Sequence, residues 1–300
     1  MSEKIIVTGG AGFIGSNITR ELVSLGFDVH VVDNLSGGKK ENVDSRATLH
    51  IVDLTDLNAI KPIFKDATYV FHLAALPRVQ FSIEFPAESH NANVNGTLNV
   101  LLASKEAGVK KVIYSASSSA YGDQPIMPLK EDMSPNPKSP YALQKYMGEL
   151  LCKMFSQIYN LPTVSLRYFN VYGPGQSAEG AYALVIAKFL KQIKEGKTMT
   201  VTGDGSQTRD FTNVKDVVCA NILAMKSEKV GNGEVLNIGA GKNQSINTIT
   251  KLIGGPVEYI PARFEPKDTL ADNSLARELL GWIPEVKIEE GIDELKKLYL

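Results

Sequence analysis

Thr8-Gly9-Gly10-Ala11-Gly12-Phe13-Ile14-Gly15 follows the apolar run Lys4-Ile5-Ile6-Val7 and opens an amphipathic segment from Ser16 to Leu25. Glycines at three-residue steps between a strand and a helix are what a turn around a pyrophosphate requires. Gly9 is expected to take a tight positive-φ turn, Gly12 to let the backbone approach phosphate, and Gly15 to let the helix sit close to the sheet. The helix N-terminus then offers unpaired N–H groups and the positive end of its dipole to the anion. A second apolar run, Val29-His30-Val31-Val32, ends in Asp33. A carboxylate there can accept both hydroxyls of an adenosine ribose and repels a 2′-phosphate, so the expected dinucleotide is NAD rather than NADP.

Three hundred residues with 43% apolar content can bury a large core. The net charge of −1 gives no polyanion-binding surface, so nucleic acid is not an expected partner. No apolar run approaches the length of a membrane span, and the chain opens on a strand signal rather than a basic and apolar leader. A cytoplasmic protein with no membrane partner is expected. Cys152 and Cys219 both lie in apolar helical patterns and read as reduced core thiols. Neither has Cys/His neighbours at metal-ligand spacing, so no metal is expected.

Short β-branched runs recur at 4–8, 28–33, 48–52, 67–74, 110–116, 161–168 and 234–239, with helical stretches between them. This alternation predicts an α/β fold, a doubly wound parallel Rossmann sheet of about seven strands. Beyond residue 170 Gly and Pro signals multiply, as in Tyr172-Gly173-Pro174-Gly175 and Gly203-Asp204-Gly205. The expected division is a dinucleotide domain over 1–170, joined again by 211–240, and a smaller C-terminal substrate lobe within 171–300, mainly 171–210 and 241–300. Ligands should then lie at the carboxyl ends of the strands. Asp53 stands there, as an acceptor for the adenine amino group or as a helix cap. Leu73-Ala74-Ala75 ends the fourth strand with small side chains that suit either close approach of a cofactor or core packing.

The fifth run leads into Ser115-Ala116-Ser117-Ser118-Ser119-Ala120-Tyr121-Gly122, hydroxyls where substrate is expected. A helix beginning near Pro140 puts Tyr141 and Lys145 one turn apart on one face. An ammonium beside a phenol favours phenolate and lowers its pKa toward working pH, which suits a general base.

The sequence resembles the extended short-chain dehydrogenase/reductase family, and within it the UDP-hexose 4-epimerases. The resemblance is carried by residues 8–15, Asp33-Asn34-Leu35-Ser36-Gly37-Gly38, Asp53-Leu54, His72-Leu73-Ala74-Ala75 and Asn93-Val94-Asn95-Gly96-Thr97. It continues through Ser117 to Gly122, Tyr141 with Lys145, Arg167 to Pro174, Gly203-Asp204-Gly205, Thr208-Arg209-Asp210-Phe211, Ala271 to Ser274 and Leu280-Gly281-Trp282. It implies that Tyr141 takes the proton of the sugar 4-hydroxyl while hydride passes to NAD. Ser117 then bonds the same oxygen, and Lys145 holds the nicotinamide ribose. It further implies that Phe13, Ile14, Asn34, Ser36, Gly37, Leu54, Ser115 and Tyr168 line the cofactor. The substrate implied is a UDP-sugar, its diphosphate held by Asn170, Arg209 and an arginine matched by Arg263. Arg263-Phe264-Glu265-Pro266-Lys267-Asp268 departs from the family's Arg-x-Gly-Asp/Glu-x-Arg, and Lys267 is a second candidate for that role.

Related dehydratases carry Thr-Asp-Glu where this chain has Ser117-Ser118-Ser119, and decarboxylases carry Glu at the position of Ser119. Without either carboxylate, simple 4-epimerisation is the implied reaction, with a UDP-glucuronate 4-epimerase as the alternative. Asn170, which stands where those enzymes tend to carry Thr, leans toward neutral hexoses. Thr269, small where a bulky tyrosine restricts relatives, implies room for N-acetylated sugars. A non-catalytic NAD-binding regulator would be expected to lack Ser117, Tyr141 or Lys145. Apolar residues at helical spacing, Leu98, Leu101, Leu102, Leu143, Met147, Leu150, Leu151 and Met154, join the resemblance in implying a homodimer through a four-helix bundle.

Overall fold

The computed structural model describes residues 2–178, 184–262 and 268–300. Arg263 and Lys267 therefore lie outside the described residues. The first half of the chain alternates β1 (Lys4–Thr8), α1 (Phe13–Ser24), β2 (Asp28–Asp33), β3 (Thr48–Ile51), α2 (Leu57–Phe64) and β4 (Ala67–His72). Next come the short helices α3 (Val79–Glu84) and α4 (Pro86–His90), then α5 (Gly96–Ala107), β5 (Lys111–Ser117), α6 (Pro140–Tyr159) and β6 (Thr163–Tyr168). The second half holds β7 (Val171–Tyr172), α7 (Val185–Lys194), β8 (Met199–Thr202), β9 (Thr208–Asp210), β10 (Thr212–Asn213), α8 (Val214–Lys226) and β11 (Asn232–Ile238). It ends with β12 (Asn243–Ser245), α9 (Ile246–Ile253), β13 (Val257–Ile260), α10 (Ser274–Leu280) and α11 (Ile288–Tyr299).

Seven strands form one parallel sheet in the order β11-β6-β5-β4-β1-β2-β3, the architecture expected from the alternation. Side chains alternate between its faces. Ile5 and Val7 join Ile18, Leu22, Val217 and Trp282 in one apolar cluster, beneath α1, α8 and α10. Ile6 joins Ile60, Leu101, Val112 and Phe155 in the other, beneath α2, α5 and α6. Such two-sided burial explains why the strands read as continuous apolar runs. A third cluster, around Ile186, Phe189, Leu190, Val201, Ile249 and Ile292, packs α7, α9 and α11 away from the sheet.

Two sequence expectations change. Cys152 is buried, but Cys219 is exposed on α8 because the neighbours that face the core there are Val217, Val218 and Ala220. The third and fourth strands end at Ile51 and His72, before the residues assigned to their ends, so Asp53 and Leu73-Ala74-Ala75 lie in the loops that follow. The strand order reverses between β1 and β4, and the crevice at such a reversal is where doubly wound sheets take ligands.

Candidate active site

The glycine turn joins β1 to α1 at this crevice. Gly9 has φ +71°, and a Cβ there would stand 2.6 Å from the amide nitrogen of Ala74, so glycine alone lets the turn close against the loop after β4. A Cβ on Gly15 would run into the Gly9 carbonyl. Gly15 thus lets the start of α1 close onto the turn that follows β1. Gly12 occupies the N-cap with no side-chain cap, and no acidic residue stands in the first turn of α1. The entry of the helix is thereby shaped for an anion.

Asp33 is 8% exposed at the end of β2. Its Oδ2 accepts the Ala11 amide at 3.0 Å and its Oδ1 the Leu35 amide at 2.8 Å. Each carboxylate oxygen can accept a second bond, which leaves capacity for ribose hydroxyls. Asn34 donates to Asp53 Oδ2 at 2.8 Å, and its own Oδ1 accepts from the Ser36 amide and hydroxyl. Gly37 faces open space. Asp53 works against its partial burial, because hydrogen bonds from Thr55 and Asn34 hold its carboxyl below the usual range. The residue that caps α2 is Asp56, which accepts from Ala59. Leu54 is buried, and Phe13 and Ile14 pack against the sheet core. A turn closed by glycine, an uncapped helix entry and a buried carboxylate together fit a dinucleotide with a free 2′-hydroxyl.

Past β4 come Ser117, Tyr141 and Lys145, the residues expected to be catalytic. Ser139 caps α6 through the Ala142 amide, and Pro140 opens it, so Tyr141 and Lys145 share a face as expected. Lys145 Nζ donates to the Ser115 carbonyl at 2.6 Å and lies 4.9 Å from the Tyr114 ring centroid. Burial holds this ammonium down to about 8. Burial pushes the Tyr141 phenol up to about 12, opposed by its hydrogen bond with Ser117. The lysine thus spends a donor on a backbone carbonyl, and the Tyr141 phenol is set by burial and by Ser117 rather than lowered by Lys145 as expected. Ser117 Oγ accepts from the Ser119 amide at 3.2 Å and from the Ser119 hydroxyl at 2.8 Å. With both acceptor positions taken, its own proton is directed elsewhere. Tyr168 closes this side, its hydroxyl donating to Asn221 at 3.0 Å.

A cavity of about 260 Å³ lies toward the second half of the chain, with Asn170, Gln207, Arg209 and Phe211 in its wall. Asn170 Nδ2 donates to the Asp210 carbonyl and to Thr269 Oγ1, both at 3.3 Å. Thr269 Oγ1 also accepts the Asp210 amide at 3.3 Å. Asn170, Arg209 and Thr269 are therefore brought together. Asp210 is the joint that does so, since its buried carboxylate accepts the amides of Ala240, Gly241 and Ala271.

Residues 5–239 match the NAD dependent epimerase/dehydratase family. The chain belongs to that family. NAD is accordingly its cofactor, in agreement with the fit of the glycine turn and Asp33. The match takes in Ser117, Tyr141, Lys145, Asn170 and Arg209, while Thr269 lies beyond its end. A UDP-glucose 4-epimerase of Mycolicibacterium smegmatis is 38% identical over 96% of this chain and 96% of its own. A UDP-glucose 4-epimerase of Thermotoga maritima, solved with UDP-glucose, is 40% identical with a TM-score of 0.93, covering 98% of this chain and 99% of the other. A UDP-N-acetylglucosamine 4-epimerase of Methanobrevibacter ruminantium, solved with UDP-N-acetylmuramic acid, is 40% identical with a TM-score of 0.94, covering 99% and 98%.

Several buried polar residues of this family member carried no role in the sequence reading. Ser82 Oγ accepts the Tyr141 amide at 3.0 Å, and Gln144, between Tyr141 and Lys145, accepts from Ser89 at 2.7 Å and Asn93 at 2.8 Å. One turn on, Glu149 forms a two-pronged pair with Arg167 at 2.9 and 2.7 Å, both side chains nearly fully buried. The signal available was a Gln and a Glu at steps of three and eight from Tyr141 on one helix, polar residues on a face that had to meet the sheet.

Proposed function

We propose that the chain catalyses NAD-dependent 4-epimerisation of a UDP-hexose through a transient 4-keto sugar. The observation that carries this is Ser117, whose hydroxyl takes two hydrogen bonds from Ser119 and bonds Tyr141, in a serine cluster with no carboxylate. Removal of the carbon 5 proton, which dehydration needs, has no base there. Bound NAD supplies the acceptor and donor of hydride at carbon 4. Tyr141 takes the proton of the 4-hydroxyl and returns it, and Ser117 orients the same oxygen. Lys145, kept beside them by the Ser115 carbonyl, holds the nicotinamide ribose. Gly9, Gly12, Phe13, Ile14 and Gly15 cradle the pyrophosphate, Asp33 holds the adenosine ribose, and Asn34, Ser36, Gly37, Asp53 and Leu54 form the adenosine side. Leu73, Ala74, Ala75 and Tyr168 line the path between.

Asn170 and Arg209 hold the diphosphate of the substrate, and Arg263 remains a candidate for the same task. A side chain as small as Thr269 leaves room beside the sugar, so both neutral and N-acetylated hexoses are accepted. The neutral-sugar reading draws support from the relative solved with UDP-glucose, and the N-acetyl reading from the relative solved with UDP-N-acetylmuramic acid. The substrate lobe consists mainly of 171–210 and 241–300. No helix among the described residues is long and apolar enough to cross a membrane. The chain works as a homodimer in the reducing cytoplasm, paired through α5 and α6. Leu143 and Leu150 support this, being 44% and 48% exposed seven residues apart on the outer face of α6.

The test incubates purified protein separately with UDP-glucose, UDP-N-acetylglucosamine and UDP-glucuronate, with no NAD added. UDP-galactose and UDP-N-acetylgalactosamine are the expected products. Conversion of UDP-glucuronate alone would replace the proposal with the acid-sugar epimerase. Cofactor retention without any product would leave a NAD-binding regulator.

A further inference from the structure

His72 ends β4 and is 1% exposed. Its Nδ1 lies 2.7 Å from Thr8 Oγ1 and its Nε2 lies 2.9 Å from Thr97 Oγ1. Thr97 has a single hydroxyl proton, and donates it to the Asn93 carbonyl at 2.6 Å. The Thr97 oxygen must then receive a proton from His72, so Nε2 carries the hydrogen. Burial foremost, together with the Lys145 charge, pushes the imidazole down to about 3, so the ring is neutral and Nδ1 is a bare acceptor. Thr8 consequently donates to Nδ1, and its oxygen accepts the Ala74 amide at 3.3 Å. The result is one chain of bonds running in a single direction: Ala74 to Thr8, Thr8 to His72, His72 to Thr97, and Thr97 to Asn93.

Both ends of this chain bear on the site. Thr8 opens the glycine turn, and the Ala74 amide is the group against which Gly9 closes. At the far end, Asn93 Oδ1 accepts the Leu76 amide at 2.7 Å, and its Nδ2 donates to Gln144, which lies between Tyr141 and Lys145. Thr8, His72, Thr97, Asn93 and Gln144 are all 3% exposed or less, so water cannot replace a lost bond.

We propose that His72, fixed as the neutral Nε2–H tautomer, is a positioning residue that ties the glycine turn to the helix bearing Tyr141 and Lys145. The other tautomer would turn the Thr97 proton away from Asn93 and break the link to α6. Nothing in this role requires the ring to touch substrate or cofactor.

The first test is nitrogen NMR of protein labelled at its four histidines, with the His72→Phe variant assigning the ring. The expected signature is a bare Nδ1 and a protonated Nε2, unchanged from about pH 5 to about pH 9. A proton on Nδ1, or titration within that range, overturns the proposal. The second test is kinetic and rests on the epimerase reading. Thr97→Val keeps the shape but removes the hydroxyl, and should lower kcat about tenfold with KM changed less than about twofold, as expected for small misplacement of reacting groups. Thr97→Ser should restore kcat. Unchanged kcat in folded Thr97→Val would refute the positioning role. Should that variant fail to fold, the NMR result on the unsubstituted protein decides. Should no UDP-sugar be converted by the unsubstituted protein, the epimerase reading fails while the tautomer remains tested.

Discussion

As the proposed base, Tyr141 must satisfy two opposing demands: burial that excludes water from the sugar and a pKa low enough to take its proton. Burial prevails, with the phenol at about 12 and Lys145 at about 8. Tyr141→Phe should lower turnover by about 10²–10⁴-fold, the usual worth of a positioned acid or base, while dinucleotide retention is unchanged. Steady-state rates and the ultraviolet spectrum of the purified variant check both halves. Lys145 gives a pH signature. Its pKa in the fold lies below the ordinary 10.5, so its contribution to stability is full above 10.5 and is lost as pH falls through about 8. The urea midpoint of the native protein relative to Lys145→Met should thus rise between these values and stay flat below them. A constant difference across the range would show that burial does not hold the ammonium down.

At the scale of elements, the seven strands of the main sheet were legible because both faces are covered. Ile5-Ile6-Val7 sends residues to two different cores, so apolar runs mark each strand. Pro140 likewise announced α6 through first-turn chemistry, and the structure adds the Ser139 cap. The two-residue and three-residue strands β7, β9, β10 and β12 were not legible, since their pairing partners are set by tertiary contacts rather than by any local pattern. The same holds within the site. Glycines, Asp33, Ser117, Tyr141 and Lys145 stand out by residue type, whereas His72, Gln144 and Asp210 act through partners far away in sequence. Lys111 shows how such a partner stabilises an element. Its buried ammonium donates to the Ala224 and Ser227 carbonyls at the end of α8. Lys111→Met should cost about 1–3 kcal/mol by urea unfolding, the penalty for stranding buried carbonyls, with activity per folded molecule unchanged.

For the whole molecule, the proposed dinucleotide side lies at the carboxyl edge of the sheet, and Asp210 joins the segment bearing Thr269 to the same edge. The outer face of α6 is left with Leu143, Leu150 and Ile158 exposed. Leu143→Glu combined with Leu150→Glu should turn the proposed dimer into a monomer by sedimentation, and an unchanged mass would place any pairing elsewhere. The central claim is that hydrogen leaves carbon 4 of the sugar and returns to it within one turnover at the Ser117, Tyr141 and Lys145 site. Its most direct test supplies UDP-glucose deuterated at carbon 4 and analyses the epimer by NMR. The account predicts UDP-galactose that retains the deuterium at carbon 4 with no NAD added, whereas product with hydrogen from solvent at that carbon, or no product at all, would contradict it.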